Sequence, residues 1–206
     1  MDVWEANARS TQIAPHPCNQ TGPYLCSGDE CGKDGVCDKN GCGWNTYRLS
    51  QPEYYGEGSN FAVDTTKPFS VVTQFPADAN GTLTGIRRLY VQEGKVVKAQ
   101  TIAKEGVPAV DYETDEYCGA TGASAFMRLG ALAGFGESLT RGMVLTFSLW
   151  WDDGGFMHWL DSETDGAGPC NATEGDPKVI RNIEPAPQVT FSNIKWGEIG
   201  STFTEA

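Results

Sequence analysis

No stretch of this sequence is apolar for long enough to cross a bilayer as a helix, so no transmembrane helix is expected. Its start, Met1-Asp2-Val3-Trp4, lacks the charged-then-apolar pattern of a signal peptide. Basic residues are few: 15 Lys and Arg stand against 27 Asp and Glu, for a net charge of −12. That balance argues against nucleic acid, because phosphate binding needs clustered cations, and it suits a soluble protein with a neutral substrate. Histidine is nearly absent, with only His16 and His158, which leaves a zinc site short of nitrogen ligands. There is no internal repeat and no linker. What remains is a globular composition, 39% hydrophobic and 11% aromatic, in 206 residues. That length suffices for one good-sized core or for a large part of a bigger β domain.

Cysteine, by contrast, is present in an odd number. The seven are Cys18, Cys26, Cys31, Cys37, Cys42, Cys118 and Cys170, five of them crowded between positions 18 and 42. Their irregular gaps fit a disulfide-stapled loop better than paired zinc ligands. Three glycosylation sequons, at Asn19, Asn80 and Asn171, agree with an oxidising, secretory route. The uneven count means a free thiol, an intermolecular bridge or a missing partner; with the missing leader it points to a fragment.

Residues 1–60 read mostly as loop, rich in Gly, Pro, Asn, Asp and Cys. Strand character begins at Phe61-Ala62-Val63-Asp64 and Phe69–Phe75, bounded by turn residues. Ile86–Gln92 and Lys95–Ile102 flank Glu93-Gly94 as a tight hairpin. Residues 115–141 are the one good helical stretch, with Phe126, Leu129, Leu132 and Ala133 at helical spacing. Gly134 and Gly136 are expected to break it into two short helices. Met143–Trp151 is an apolar strand, Phe156–Leu160 continues the sheet, and Val189–Trp196 is a last strand with apolar residues on both faces. The expected fold is mainly β: two packed antiparallel sheets with long loops and one or two short helices.

The sharpest chemical signal is Asp2 and Glu5, standing around Trp4 and followed by Ala6-Asn7. Alone, two acids near a chain end read as solvated surface groups. A glycosidic bond, however, is cut by two carboxyl groups, one protonating the leaving oxygen and one attacking or activating water. A third nearby carboxylate can raise a neighbour's pKa. Positions two apart on a strand share a face, and these two are three apart. Presenting both to one cleft therefore requires a bulge or the strand's end.

Met1-Asp2-Val3-Trp4-Glu5-Ala6-Asn7 resembles the catalytic strand of glycoside hydrolase family 7, whose pattern is Glu-x-Asp-x-x-Glu. Ala14-Pro15-His16-Pro17-Cys18 and Gly41–Arg48 (with Thr46 where the family has proline) continue the resemblance. So do Tyr54-Tyr55-Gly56, Val63–Lys67, Val71–Phe75, Gly142–Leu145, Trp159–Ser162 and Phe191–Gly197, in order over nearly the whole chain. The resemblance implies a concanavalin-like β-sandwich, or jelly roll, and retaining hydrolysis of β-1,4-glucan. It needs no cofactor and no metal, and it suggests a secreted, extracellular monomer with no membrane partner.

Carried over, Asp2 is the supporting carboxylate and Glu5 the acid/base. The nucleophile glutamate falls on the residue just before Met1, so residues 1–206 are expected to be the carboxy-terminal part of one catalytic domain, without its amino-terminal half. Trp150 and Trp159 match sugar platforms flanking the cleavage point, while Trp151 and Trp196 are expected in the core. His16 is placed near the leaving-group sugar, with a structural loop role as the competing reading. Arg48 is placed on substrate hydroxyls of the product side, against a surface ion pair; His158 has no assigned role. The resemblance implies bridges Cys18–Cys37, Cys26–Cys31 and Cys42–Cys118, and leaves Cys170 with its partner upstream. The short Cys31–Cys37 and Asp165–Cys170 stretches look like the open-cleft, endo-acting branch. A glucan-binding sandwich without catalysis and an inactive truncated product remain the alternatives.

Overall fold

The computed structural model describes residues 1–204. The first sheet is antiparallel, in the order β1 (Asp2–Ala6), β2 (Thr11–Ala14), β3 (Trp44–Asn45). A parallel pair follows, β4 (Tyr55–Gly56) with β5 (Val63–Asp64). The second antiparallel sheet runs β6 (Ser70–Gln74), β7 (Arg87–Gln92), β8 (Lys95–Lys98). Its β7–β8 turn has Glu93 at φ 51° and Gly94 at φ 76°. Two consecutive left-handed residues match the right-handed twist of the flanking strands, which is why the hairpin closes there.

The sheets face each other across an aromatic core. Tyr90, Ile13, Val63, Phe126 and Phe135 are fully buried in it. The Tyr90 hydroxyl lies 2.8 Å from Thr11 Oγ1, which also accepts from Trp4 Nε1 at 3.0 Å. Trp4 thus turns inward and meets Phe69 edge-on at 6.1 Å. Because alternate strand residues point oppositely, its neighbours are free to face out.

Among the described residues five short α-helices form, more than the one or two expected. They are α1 (Asp115–Ala120), α2 (Ser124–Arg128), α3 (Ala131–Arg141), α4 (His158–Asp161) and α5 (Pro177–Ile183). Thr114 caps α1 by accepting from the Tyr117 amide, and Asp176 caps α5 ahead of Pro177. The breaks in 115–141 fall at residues 121–123 and at Gly130 (φ 106°), not at Gly134 and Gly136, which lie inside α3. Gly136 serves packing instead: a Cβ there would stand 2.7 Å from Leu83 Cβ.

Three disulfides join Cys18 to Cys37, Cys26 to Cys31 and Cys42 to Cys118, leaving Cys170 as a buried free thiol. The first two staple the loop after β2; the third ties that loop to α1.

Several expectations fail beyond residue 141. Met143–Trp151 and Val189–Trp196 form no strand among the described residues. They meet through side chains, with Phe147 and Phe191 ring centroids 4.6 Å apart, but neither has a neighbouring backbone to complete a ladder. Phe156–Leu160 is a turn leading into α4, because Phe156 (φ 52°) and Met157 (φ 59°) take left-handed conformations that end an extended chain. Trp196 is 89% exposed rather than in the core, since nothing described packs over it. Trp151 is part-exposed, with the Arg181 guanidinium 4.4 Å over its ring.

Candidate active site

The β1–β2 register pairs Asp2 with Ala14 and Glu5 with Gln12, shifting by one residue between them. Val3 and Trp4 together oppose Ile13 alone, which is the bulge the three-residue spacing requires. It turns Asp2 and Glu5 to the same outer face while Trp4 stays in the core. His16, two residues beyond Ala14, reaches back along that face, its Nε2 2.7 Å from Asp2 Oδ2. Its Nδ1 lies 3.1 Å from the Asp38 carbonyl, which fixes the ring from behind. Gly41 (φ +70°) makes room for it: a Cβ there would fall 2.8 Å from His16 Cε1.

The charges divide unequally between the two acids. The hydrogen bond from His16 holds Asp2 below its ordinary pKa, against burial. Burial alone would lower His16, but the contact with Asp2 carries it above its ordinary value. Burial first, and then the negative Asp2, push Glu5 up to about 7, against weaker opposing effects of His16 and the Gln12 side chain. One carboxyl is thus kept ionised while its neighbour keeps its proton up to about pH 7. Pairs of titratable groups driven apart in this way mark acid/base sites.

Trp150 and Trp159 come together, rings 6.2 Å apart and inclined by 20°. A pyranose sandwiched between two ring faces needs about twice a carbon–carbon contact of ~3.5–4.0 Å. The pair therefore offers outer faces and edges to a sugar, not a slot. Arg48 donates from Nη2 to the Trp159 carbonyl at 2.9 Å and from Nη1 to the Asp165 carbonyl at 2.8 Å. No ion pair forms there among the described residues; the guanidinium instead steadies the segment bearing Trp159.

Sequence reasoning missed several residues that set this geometry. Gln12 faces Glu5 directly, and strand pairing of β1 with β2 is the signal that finds it. Asn45 Nδ2 donates to the carbonyls of Leu160 and Ala167 at 3.0 and 2.9 Å, and the single proton of Ser10 Oγ is shared between the same two carbonyls, 2.6 and 2.9 Å away, in a fully buried cluster. Asn7 Nδ2 reaches Asp161 Oδ2 at 2.6 Å. Together they bind the first sheet to the α4 segment, so that Trp159 is fixed relative to Glu5. His158 bonds the Ala172 carbonyl at 2.8 Å. Cys42, Glu113 and Cys118 also converge, but both sulfurs are joined in a disulfide and offer no thiolate to a metal.

The bulged strand thus presents paired carboxyls on one face of a β-sandwich. Residues 1–203 match the profile of glycosyl hydrolase family 7, and the chain belongs to that family. It is 62% identical over 204 residues to Endoglucanase 1 of Pyricularia oryzae, covering 98% of this chain and 48% of that protein. It is 56% identical to Endoglucanase 1 of Humicola insolens, covering 100% of this chain and 50% of the relative. The chain thus spans about half the length of the curated relatives it matches. The native structure of Humicola insolens endocellulase EGI superposes with a TM-score of 0.96 at 56% identity, over 98% of this chain and 50% of that one. A Melanocarpus albomyces cellobiohydrolase solved with cellotetraose superposes at 0.79 and 30% identity, over 90% and 46%.

Proposed function

We propose that the chain supplies the acid/base half of a secreted, retaining endo-β-1,4-glucanase site. Glu5 is the acid/base and Asp2 the supporting carboxylate. The attacking carboxylate belongs to the residue preceding Met1 on the same strand, in an amino-terminal half of the same catalytic domain. The observation that carries this reading is Glu5 held at about 7 beside an ionised Asp2 on one bulged strand.

Near neutral pH, protonated Glu5 gives its proton to the glycosidic oxygen while the nucleophile attacks the anomeric carbon, and a covalent glycosyl-enzyme forms. Glu5, now a carboxylate, takes a proton from water as that water attacks the same carbon, releasing the sugar and restoring both groups. Asp2, kept charged by His16, holds Glu5 protonated at the start of each cycle. Trp150 and Trp159 offer indole faces to glucose units on either side of the cleaved bond. His16 lies toward the leaving-group sugar, and Arg48, held by the carbonyls of Trp159 and Asp165, lies toward the product side. The short loops at Cys31–Cys37 and Asp165–Cys170, and the endoglucanase names of the close relatives, favour internal cleavage in an open cleft. The exposed apolar side chains of Met143–Trp151 and Val189–Trp196 support a further half of the sandwich lying over them.

The test is hydrolysis of carboxymethylcellulose and of a chromogenic cellobioside. The 206-residue chain alone is expected to be inactive, and its coding sequence should place a glutamate codon directly before Met1. The full-length product should be active and lose about 10²-fold or more with Glu5→Gln. Turnover by the short chain that Glu5→Gln abolishes, or another residue before Met1, overturns the assignment.

A further inference from the structure

Arg88 is the least expected residue in the core. It sits on β7, it is only 5% exposed, and no carboxylate among the described residues pairs with it. Its guanidinium lies among Tyr54, Tyr55 and Tyr90, at 5.9 Å from the last ring. Two of its nitrogens, Nε and Nη1, have no hydrogen-bond partner. A buried, half-satisfied cation is destabilising, and an apolar side chain of similar volume would pack better there. Among the described residues its side chain makes one hydrogen bond: Nη2 donates across the sandwich to the carbonyl of Val3.

That carbonyl lies between the two acids. Where Val3 and Trp4 face Ile13 alone, β1 has one residue more than its partner can satisfy. Without a donor from the opposite sheet, β1 gains by sliding into even register. The slide rotates Asp2 and Glu5 onto opposite faces, because side chains alternate along a strand.

Building on the hydrolase reading above, we propose that Arg88 is a positioning residue, whose guanidinium caps the carbonyl freed by the β1 bulge and so keeps Asp2 and Glu5 on one face. It touches no substrate; it acts from behind the strand.

The test compares full-length parent, Arg88→Met and Arg88→Lys by pH–rate profile on a soluble cello-oligosaccharide and by 13C titration of the Glu5 carboxyl. The groups facing that carboxyl are Asp2 on its own strand, Gln12 on β2 and His16 in the following loop. Arg88→Met should lower kcat about 100-fold with KM changed less than about twofold, the signature of a displaced reacting group. The Glu5 midpoint should fall from about 7 toward the ordinary carboxyl range, as Asp2 and the buried setting are lost together. Arg88→Lys, with one donor still in reach of Val3, should recover kcat to within about tenfold of the parent. A merely structural arginine would lower Tm and leave both kcat and midpoint in place, and that result overturns the proposal.

If Arg88→Met does not fold, the parent decides: slowly exchanging Arg88 Nη protons coupled across to the Val3 carbonyl carbon support the assignment, and their absence sinks it. A parent without hydrolytic activity would overturn the hydrolase reading, while the titration and the coupling still decide the role of Arg88.

Discussion

Residues 1–141 and residues 142–204 are written in much the same alphabet and fold very differently. The first region turns its β-branched and aromatic runs into two paired sheets, closes them over Tyr90 and Phe126, and holds all three disulfides. The second contains Met143–Trp151, more apolar than any strand of the first, yet forms only α4 and α5 and leaves Val144 and Trp196 almost fully exposed. Periodicity records which faces a strand could bury. Whether it becomes a strand depends on a second backbone at ladder distance, and that is a property of neighbours. The two regions meet through Ser10, Asn45 and Asn7, which bind the α4 segment to the first sheet, and through Arg48 on the carbonyls of Trp159 and Asp165.

Hydrogen exchange should show the contrast at its greatest. Amides of β6, β7 and β8 are expected to be protected on the order of 10⁴-fold or more, while those of Met143–Trp151 exchange at nearly the free rate. Equal protection in both would mean the second region has found a partner. Next comes the Cys42–Cys118 bridge, which spans 76 residues of the first region. Replacing both cysteines by serine should lower unfolding stability in urea by about 4 kcal/mol. A drop under about 1 kcal/mol would show that the bridge hardly restrains the unfolded chain.

Asn45→Ala weakens the tie between the regions. It leaves the buried carbonyls of Leu160 and Ala167 with fewer donors, and should cost about 1–3 kcal/mol while loosening α4 more than β7. Glu5→Gln should act in the opposite sense. Because the folded pKa of Glu5 is raised to about 7, its protonated form favours folding below the unfolded value, and that contribution is lost as pH rises through about 7. The variant should therefore match the parent near pH 4 and become relatively more stable above pH 7, read as Tm against pH. Trp196→Ala, on the exposed strip, should change stability by less than about 0.5 kcal/mol.

Much of the first region was legible in the residues. Glu93-Gly94 marked a hairpin because two left-handed positions suit few other pairs. The spacing of Asp2 and Glu5 demanded a bulge, and the register contains one. The resemblance of the chain start to the catalytic strand carried the family, and the family profile covers residues 1–203. What stayed hidden depends on tertiary neighbours. Nothing local announces that Phe156 and Met157 turn left-handed to start α4, or that Gly136 faces Leu83 instead of ending a helix. The Ser10–Asn45 cluster joins residues more than 100 positions apart to carbonyls that no pattern singles out. Arg88 reads as an ordinary strand cation until its guanidinium is found behind Val3.

Gly41 leaves a mark on how this molecule can change. Its φ of +70° and the 2.8 Å that would separate a Cβ from His16 put every other residue at a double disadvantage. A side chain at position 41 would therefore displace the imidazole that keeps Asp2 ionised, so a residue with no functional group of its own controls the charge balance of the acid pair.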